Sequence, residues 1–199
     1  NFVLRDSVMT SLRGWIEDCV AEYFKATSNP KHDVQLRITQ SWFNYSEQGQ
    51  WHHKHAHPNS FVSGVFYLNT NPDDKIYFYR SGWQQIKFPP EDWNIYNSES
   101  WWFEATKGRL ILFPSSLEHN VPTVQGDETR ISMSFNTFPV GVVGDELSLT
   151  GLKLVAERES EEGVPADGVL REGDLICLLP NNKVLLLAPN LTERKSQSA

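Results

Sequence analysis

Between Trp51 and Asn69 the chain reads WHHKHAHPNSFVSGVFYLN, with four of its six histidines inside six positions and an apolar strand directly after them. A strand places alternate side chains on one face, so His53, His55 and His57 are expected to share a face while His52 points away. Two imidazoles at i and i+2 can grip one metal ion, and both His53-x-His55 and His55-x-His57 have that spacing. Taken alone, such a polar run reads equally well as a solvated loop. The residues after it argue for a site. Pro58-Asn59-Ser60 is turn chemistry, and beyond it Val62, Gly64 and Phe66 alternate with Ser63, Val65 and Tyr67 as two faces of a buried strand. Histidines at a strand end beside a turn stand where sites are commonly built.

A metal held by side chains needs at least one more ligand, and the remaining histidines are His32 and His119. His32 lies in the polar linker that follows Pro30 and reads as a surface residue. His119 is the better placed: Gly108 to Phe113 is a strand signal ended by Pro114-Ser115-Ser116, and His119 follows in a short polar turn before Val121-Pro122. Thr129 to Phe135 is the next strand signal and brings in Arg130. The order is therefore His-x-His, a long sheet-forming interval, a lone His, then Arg-x-Ser.

With these residues in view, the sequence resembles the iron(II) and 2-oxoglutarate dependent oxygenases, in particular their prolyl-hydroxylase-like branch, over roughly residues 34 to 138. The carriers are His55-Ala56-His57, the strand ending Phe66-Tyr67-Leu68-Asn69, Leu112-Phe113-Pro114-Ser115 leading to His119, and Arg130-Ile131-Ser132. The resemblance implies that His55, His57 and His119 hold Fe(II), and that Arg130 and Ser132, with Tyr67 facing the same group, bind the far carboxylate of 2-oxoglutarate. In the family the position of His57 is an Asp or Glu. Three imidazoles leave Fe(II) fully dicationic before the cosubstrate dianion binds, and imidazole suits iron, zinc, copper and nickel alike. The spacing from His57 through Pro58-Asn59 to Tyr67 favours His55-x-His57 over the earlier pair. The implied reaction is hydroxylation of a substrate C–H with release of succinate and CO2. Two alternatives stay open: a three-histidine cupin-type enzyme without 2-oxoglutarate, against which Arg130-x-Ser132 speaks, and a non-catalytic metal-binding jelly roll.

The rest of the chain supplies the frame. Val8, Leu12, Trp15, Ile16, Cys19, Val20, Tyr23 and Phe24 repeat at helical spacing, which predicts one amphipathic helix over residues 6 to 26, capped by Asp6 or Ser7 and ended at Thr27-Ser28-Asn29-Pro30. From Val34 the period becomes two, with Leu36, Ile38, Gln40, Trp42 and Asn44 on one face. That face turns polar toward the histidines, so Trp42 and Asn44 are expected in the pocket with Tyr45 near its rim; the plainer reading makes Trp42 core. Lys75 to Tyr79 is a further strand signal. Gly82 to Trp102 is long, aromatic and turn-rich, either a loop closing over the metal or an ordinary sheet crossover with its aromatics buried. Short strands separated by turn signals from Val34 to Phe138 predict a mainly β fold, a double-stranded β-helix or jelly roll supported by the N-terminal helix.

The domain reading is 1–140 for this unit and 141–199 for a C-terminal β appendage and polar tail. Strands are expected near 152–155, 175–179 and 184–187, and residues 164–176 resemble a short piece of a PDZ domain. A chain of 199 residues with 12% aromatics can bury an ordinary core. A net charge of −7 argues against nucleic acid or an anionic membrane as partner. Two distant cysteines, no signal-peptide pattern and no membrane-length apolar run favour a reducing compartment, with the cytoplasm as the expected location. The first residue is not Met, which points to residues preceding Asn1. A homodimer is compatible with this reading.

Overall fold

The computed structural model describes residues 2–82, 86, 88–155, and the strand backbones of 175–178 and 184–187. The tail from Leu191 and most of the PDZ-like segment lie outside the described residues. Two single 3-10 turns, Val3–Arg5 and Ser7–Met9, lead into the helix α1, Thr10–Thr27. The helix thus starts four residues later than expected. The carboxylate of Asp6 accepts the N–H of Val8 at 3.0 Å, which caps a tight turn rather than the helix and leaves Val8 outside the apolar stripe, 80% exposed. Ile16, Cys19, Val20, Tyr23 and Phe24 are the buried face of α1.

Eight strands form the core of the fold: β1 (Val34–Ser46), β2 (His52–His55), β3 (Val62–Asn69), β4 (Lys75–Tyr79), β5 (Ser100–Glu104), β6 (Leu110–Pro114), β7 (His119–Val121) and β8 (Arg130–Val143). The larger sheet has the order β1-β8-β3-β6 and the smaller one β2-β7-β4-β5, all antiparallel. The pairs 1·8, 2·7, 3·6 and 4·5 are those of one long hairpin ribbon, and the further pairs 3·8 and 4·7 arise when that ribbon rolls up. This is the jelly-roll topology. Beyond the eight, β9 (Leu152–Leu154) pairs with the end of β8, β10 (Leu175–Leu178) pairs in parallel with β6, and β11 (Val184–Leu187) pairs with β10.

Both faces of the larger sheet are covered, so its strands read as nearly continuous apolar runs. On one face Val62, Leu110, Leu112, Met133 and Phe135 pack with Leu4 and the α1 stripe. On the other, Val65, Tyr67, Ile111 and Phe113 meet Ile76 and Phe78 of the smaller sheet and Ala105 beyond it. Gly64 lies on the helix side, where a Cβ would stand 2.3 Å from Cζ of Phe135.

One departure sets the inner surface. The even alternation expected along β1 is broken by a register shift between Ile38 and Gln40. Leu36 and Ile38 pack toward α1, and so does Phe43, while Gln40, Trp42 and Asn44 pair with Asn136, Ser134 and Ser132 on the opposite face. The extra residue at a bulge reverses the parity of everything after it. It is this reversal that turns a strand apolar on its helix side into a polar wall for the interior.

The Gly82–Trp102 stretch ends in β5, which the aromatic reading of that stretch missed as a strand. Phe88, Trp93 and Tyr96 are exposed, whereas Trp101 and Trp102 are half-buried in β5. Among the described residues no helix is long and apolar enough to cross a membrane.

Candidate metal centre

His55, His57 and His119 each offer one ligand nitrogen, and these nitrogens all lie within 4.8 Å of one another. They reach that point from different local causes. His55 ends β2 and sits in register with His119, which opens β7 as a strand residue rather than a turn residue. His57 lies past the strand end, where its backbone N–H donates to the carbonyl of Ser115 at 2.9 Å. Asn59 then turns the chain with φ of +56°, a conformation Asn tolerates. Behind that turn a hydroxyl chain holds the backbone: Ser115 Oγ to Ser60 Oγ at 2.7 Å, and Ser63 Oγ to Ser115 Oγ and Asn136 Oδ1 at 2.8 Å each.

Ring orientation is fixed for two of the three. His55 Nδ1 lies 2.7 Å from the His53 carbonyl and His119 Nδ1 lies 3.0 Å from the Leu117 carbonyl. A carbonyl can only accept, so Nδ1 of each carries the proton and Nε2 keeps its lone pair toward the centre, the arrangement expected of ligating histidines. His57 Nε2 and His119 Nε2 stand 3.3 Å apart. Two nitrogens each about 2.0–2.1 Å from one ion are about 3 Å apart, so the pair is spaced for a shared ion. Burial is the main reason that the pKa values of His57 and His119 fall from 6.5 to about 4; the charge of His55 adds to it in both, and in His119 the bond to Leu117 works the other way. Neutral imidazoles are the form that binds a metal. Phe113 and Phe78 pack on His119 with ring centroids 4.7 and 5.9 Å away, and Trp42 stands 6.0 Å from the His57 ring, which answers its pocket assignment.

The other expected residues lie on the same interior face. Arg130 is 2% exposed and pairs with Asp74, Nη1 to Oδ1 at 3.2 Å, while its Nη2 is buried with no hydrogen-bond partner. Tyr67 Oη is likewise buried and unpartnered, and burial raises its pKa. Ser132 is in register with both Tyr67 and Asn44, and the Asn44 amide donates to Ser134 Oγ at 3.0 Å. Two orphaned donors, a guanidinium N–H and a phenol, are a costly arrangement unless an anion completes them. The residues present therefore fit a dicarboxylate as well as a metal.

Two groups were not foreseen. Asp74 gives no local signal, being one acid in the polar turn between β3 and β4. His52 was expected to point away, yet it is half-buried with Nε2 3.4 Å from Ser46 Oγ. His53, expected inward, is exposed. A register shift between His52 and His55 is the cause.

Two antiparallel sheets closing on three converging imidazoles define a metal-binding jelly roll. Residues 40–136 match the family model described as "Putative 2OG-Fe(II) oxygenase". Among solved structures it is similar to an oxidoreductase of the 2OG-Fe(II) oxygenase family from Burkholderia pseudomallei, at 13% identity and a TM-score of 0.39 over 68% of this chain and 54% of that one. It is also similar to HygX from Streptomyces hygroscopicus with iron bound, at 13% identity and a TM-score of 0.41 over 63% of this chain and 66% of that one. The chain thus spans less than two thirds of either protein. No curated protein matches it.

Proposed function

We propose that this protein is an Fe(II)- and 2-oxoglutarate-dependent oxygenase that hydroxylates a substrate and releases succinate and CO2. The observation that carries the reading is the presence, in one interior, of three converging imidazoles and two buried unpartnered donors, Arg130 Nη2 and Tyr67 Oη. His55, His57 and His119 would hold the iron, which when bound supplies the redox chemistry that couples decarboxylation of a 2-oxo acid to oxidation of a C–H bond.

The chain's own residues do the rest. Arg130 binds the far carboxylate through its free edge, and Tyr67 and Ser132 add hydroxyl donors from the neighbouring strand and from β8 itself. Asp74 holds the other edge of the guanidinium and so fixes its plane. Asn44, anchored on Ser134, lines the same wall. Trp42, Phe78 and Phe113 pack around the histidine rings and keep water from the reacting region.

A second reading, a three-histidine metal enzyme without 2-oxoglutarate, is favoured by one observation: Asp74 already satisfies part of Arg130. Succinate formation from 2-oxoglutarate with Fe(II) and ascorbate separates the two. Succinate above the background of a His119→Ala variant is expected. Equal amounts from both proteins would contradict the proposal.

A further inference from the structure

His119 and Val121 are two residues apart on β7 and so point to the same side of the smaller sheet. His119 faces the metal centre and Val121 packs against the interior cluster. Their register partners on β2 are His55 and His52. Three residues apart, His55 and His52 would face opposite sides of a regular strand; the register shift between them inserts the extra residue that brings both inward. Bulges are built where a side chain must be re-aimed, and here the one re-aimed is His52.

The surroundings say toward what. His52 Nε2 lies 3.4 Å from Ser46 Oγ. Ser46, 3% exposed, is in register with Arg130 across β1 and β8. The ring of His52 therefore faces, from the smaller sheet, the β1–β8 strand pair at the level of Arg130. Its pKa is lowered, first by burial and then by the charge of Arg130, with His55 and His53 behind it. A half-buried neutral imidazole beside an anion anchor can offer an N–H without adding charge.

We infer that His52 is a cosubstrate-binding residue, which donates a hydrogen bond from the smaller sheet to the carboxylate that Arg130, Tyr67 and Ser132 hold from the larger one. This rests on the 2-oxoglutarate reading above. The arrangement would clamp the cosubstrate between the sheets and set its distance from the metal. His52 lies outside the motif that carries the family resemblance, because it reaches the interior only through the bulge.

The test uses the full chain and two substitutions, His52→Phe, which keeps a ring but no donor, and His52→Gln, which keeps a donor but no ring. Mn(II) binding is titrated first, then 2-oxoglutarate is titrated calorimetrically into the Mn(II)-loaded protein without oxygen. Expected are Mn(II) affinities within about 3-fold of the parent for both, and 2-oxoglutarate affinity about 10- to 100-fold weaker in His52→Phe, the usual worth of a hydrogen bond to a charged group, with His52→Gln closer to the parent. Parental 2-oxoglutarate affinity in His52→Phe would overturn the assignment. So would a parallel loss of Mn(II), or a Gln variant weaker than the Phe variant, since either makes the ring's role structural. If His52→Phe does not fold by circular dichroism, His52→Leu takes its place with the same expectation. A parent protein that binds Mn(II) but no 2-oxoglutarate would sink the cosubstrate reading and this inference together, an outcome distinct from failure of His52 alone.

Discussion

Arg130 and Asp74 form a buried ion pair, Nη1 to Oδ1 at 3.2 Å, with side chains only 3% and 4% exposed. The carboxylate also accepts the backbone N–H of Asn71 at 2.8 Å, so it is held from the turn between β3 and β4 while it holds the guanidinium. Removing one partner of such a pair leaves the other charge buried and uncompensated. Asp74→Ala is therefore expected to destabilise the fold by about 3–5 kcal/mol in urea unfolding. A change within about 0.5 kcal/mol would mean that the pair does not persist in solution.

From the opposite side of the pair, Arg130→Ala should weaken 2-oxoglutarate binding by about 2–5 kcal/mol while leaving metal affinity nearly unchanged. Calorimetric titration of both ligands checks this. Equal binding of 2-oxoglutarate by parent and variant would remove Arg130 from the cosubstrate site.

His57 and His119, with pKa values of about 4 against an ordinary 6.5, give the metal-free protein a defined pH dependence. Above 6.5 neither the folded nor the unfolded chain carries these protons. As pH falls from 6.5 toward 4 the unfolded chain takes up protons that the folded one resists, so stability present at neutral pH is lost across that window. Thermal melts of the metal-free protein should fall over this range, and His57→Phe/His119→Phe should flatten the fall. An unchanged slope in the double variant would show that other groups set it.

His57→Asp places a carboxylate where the family ordinarily has one. It is expected to keep iron and at least partial 2-oxoglutarate turnover, because two histidines and one carboxylate with open positions suffice for that chemistry. Loss of iron binding with the circular dichroism spectrum preserved would mark His57 as part of a distinct three-histidine design, since mismatched surroundings of a ligand cost about 10–100-fold.

Gly64 tests the packing behind the site. An added Cβ would lie 2.3 Å from Phe135 Cζ and 2.8 Å from Leu112 Cδ2, so Gly64→Ala should destabilise by about 1–3 kcal/mol. Adding Phe135→Leu should recover part of the loss, a non-additivity expected of residues in contact. Strict additivity would show that the strand shifts to make room.

Much of the candidate site is legible in the amino-acid sequence alone. His55, His57, His119, Arg130, Ser132 and Tyr67 are legible because each belongs to a short local pattern, and the jelly roll because turn signals separate its strands. The bulges in β1 and β2 are not. Each inserts one residue without any compositional mark, and each reverses which side chains face inward, so Leu36 and Ile38 sit on the helix side and His52 in the interior. Asp74 is invisible for a different reason: its role depends on Arg130, 56 positions along the chain, and nothing near it in sequence announces the pairing.

The most direct test is a crystal structure of the protein grown without oxygen with Mn(II) and 2-oxoglutarate. The account predicts one ion ligated by Nε2 of His55, His57 and His119 at about 2.0–2.3 Å, with the far carboxylate of 2-oxoglutarate on Arg130 Nη2 and Tyr67 Oη. An ion bound through His53 or an acidic residue in place of His57, or 2-oxoglutarate seated away from Arg130, would contradict it.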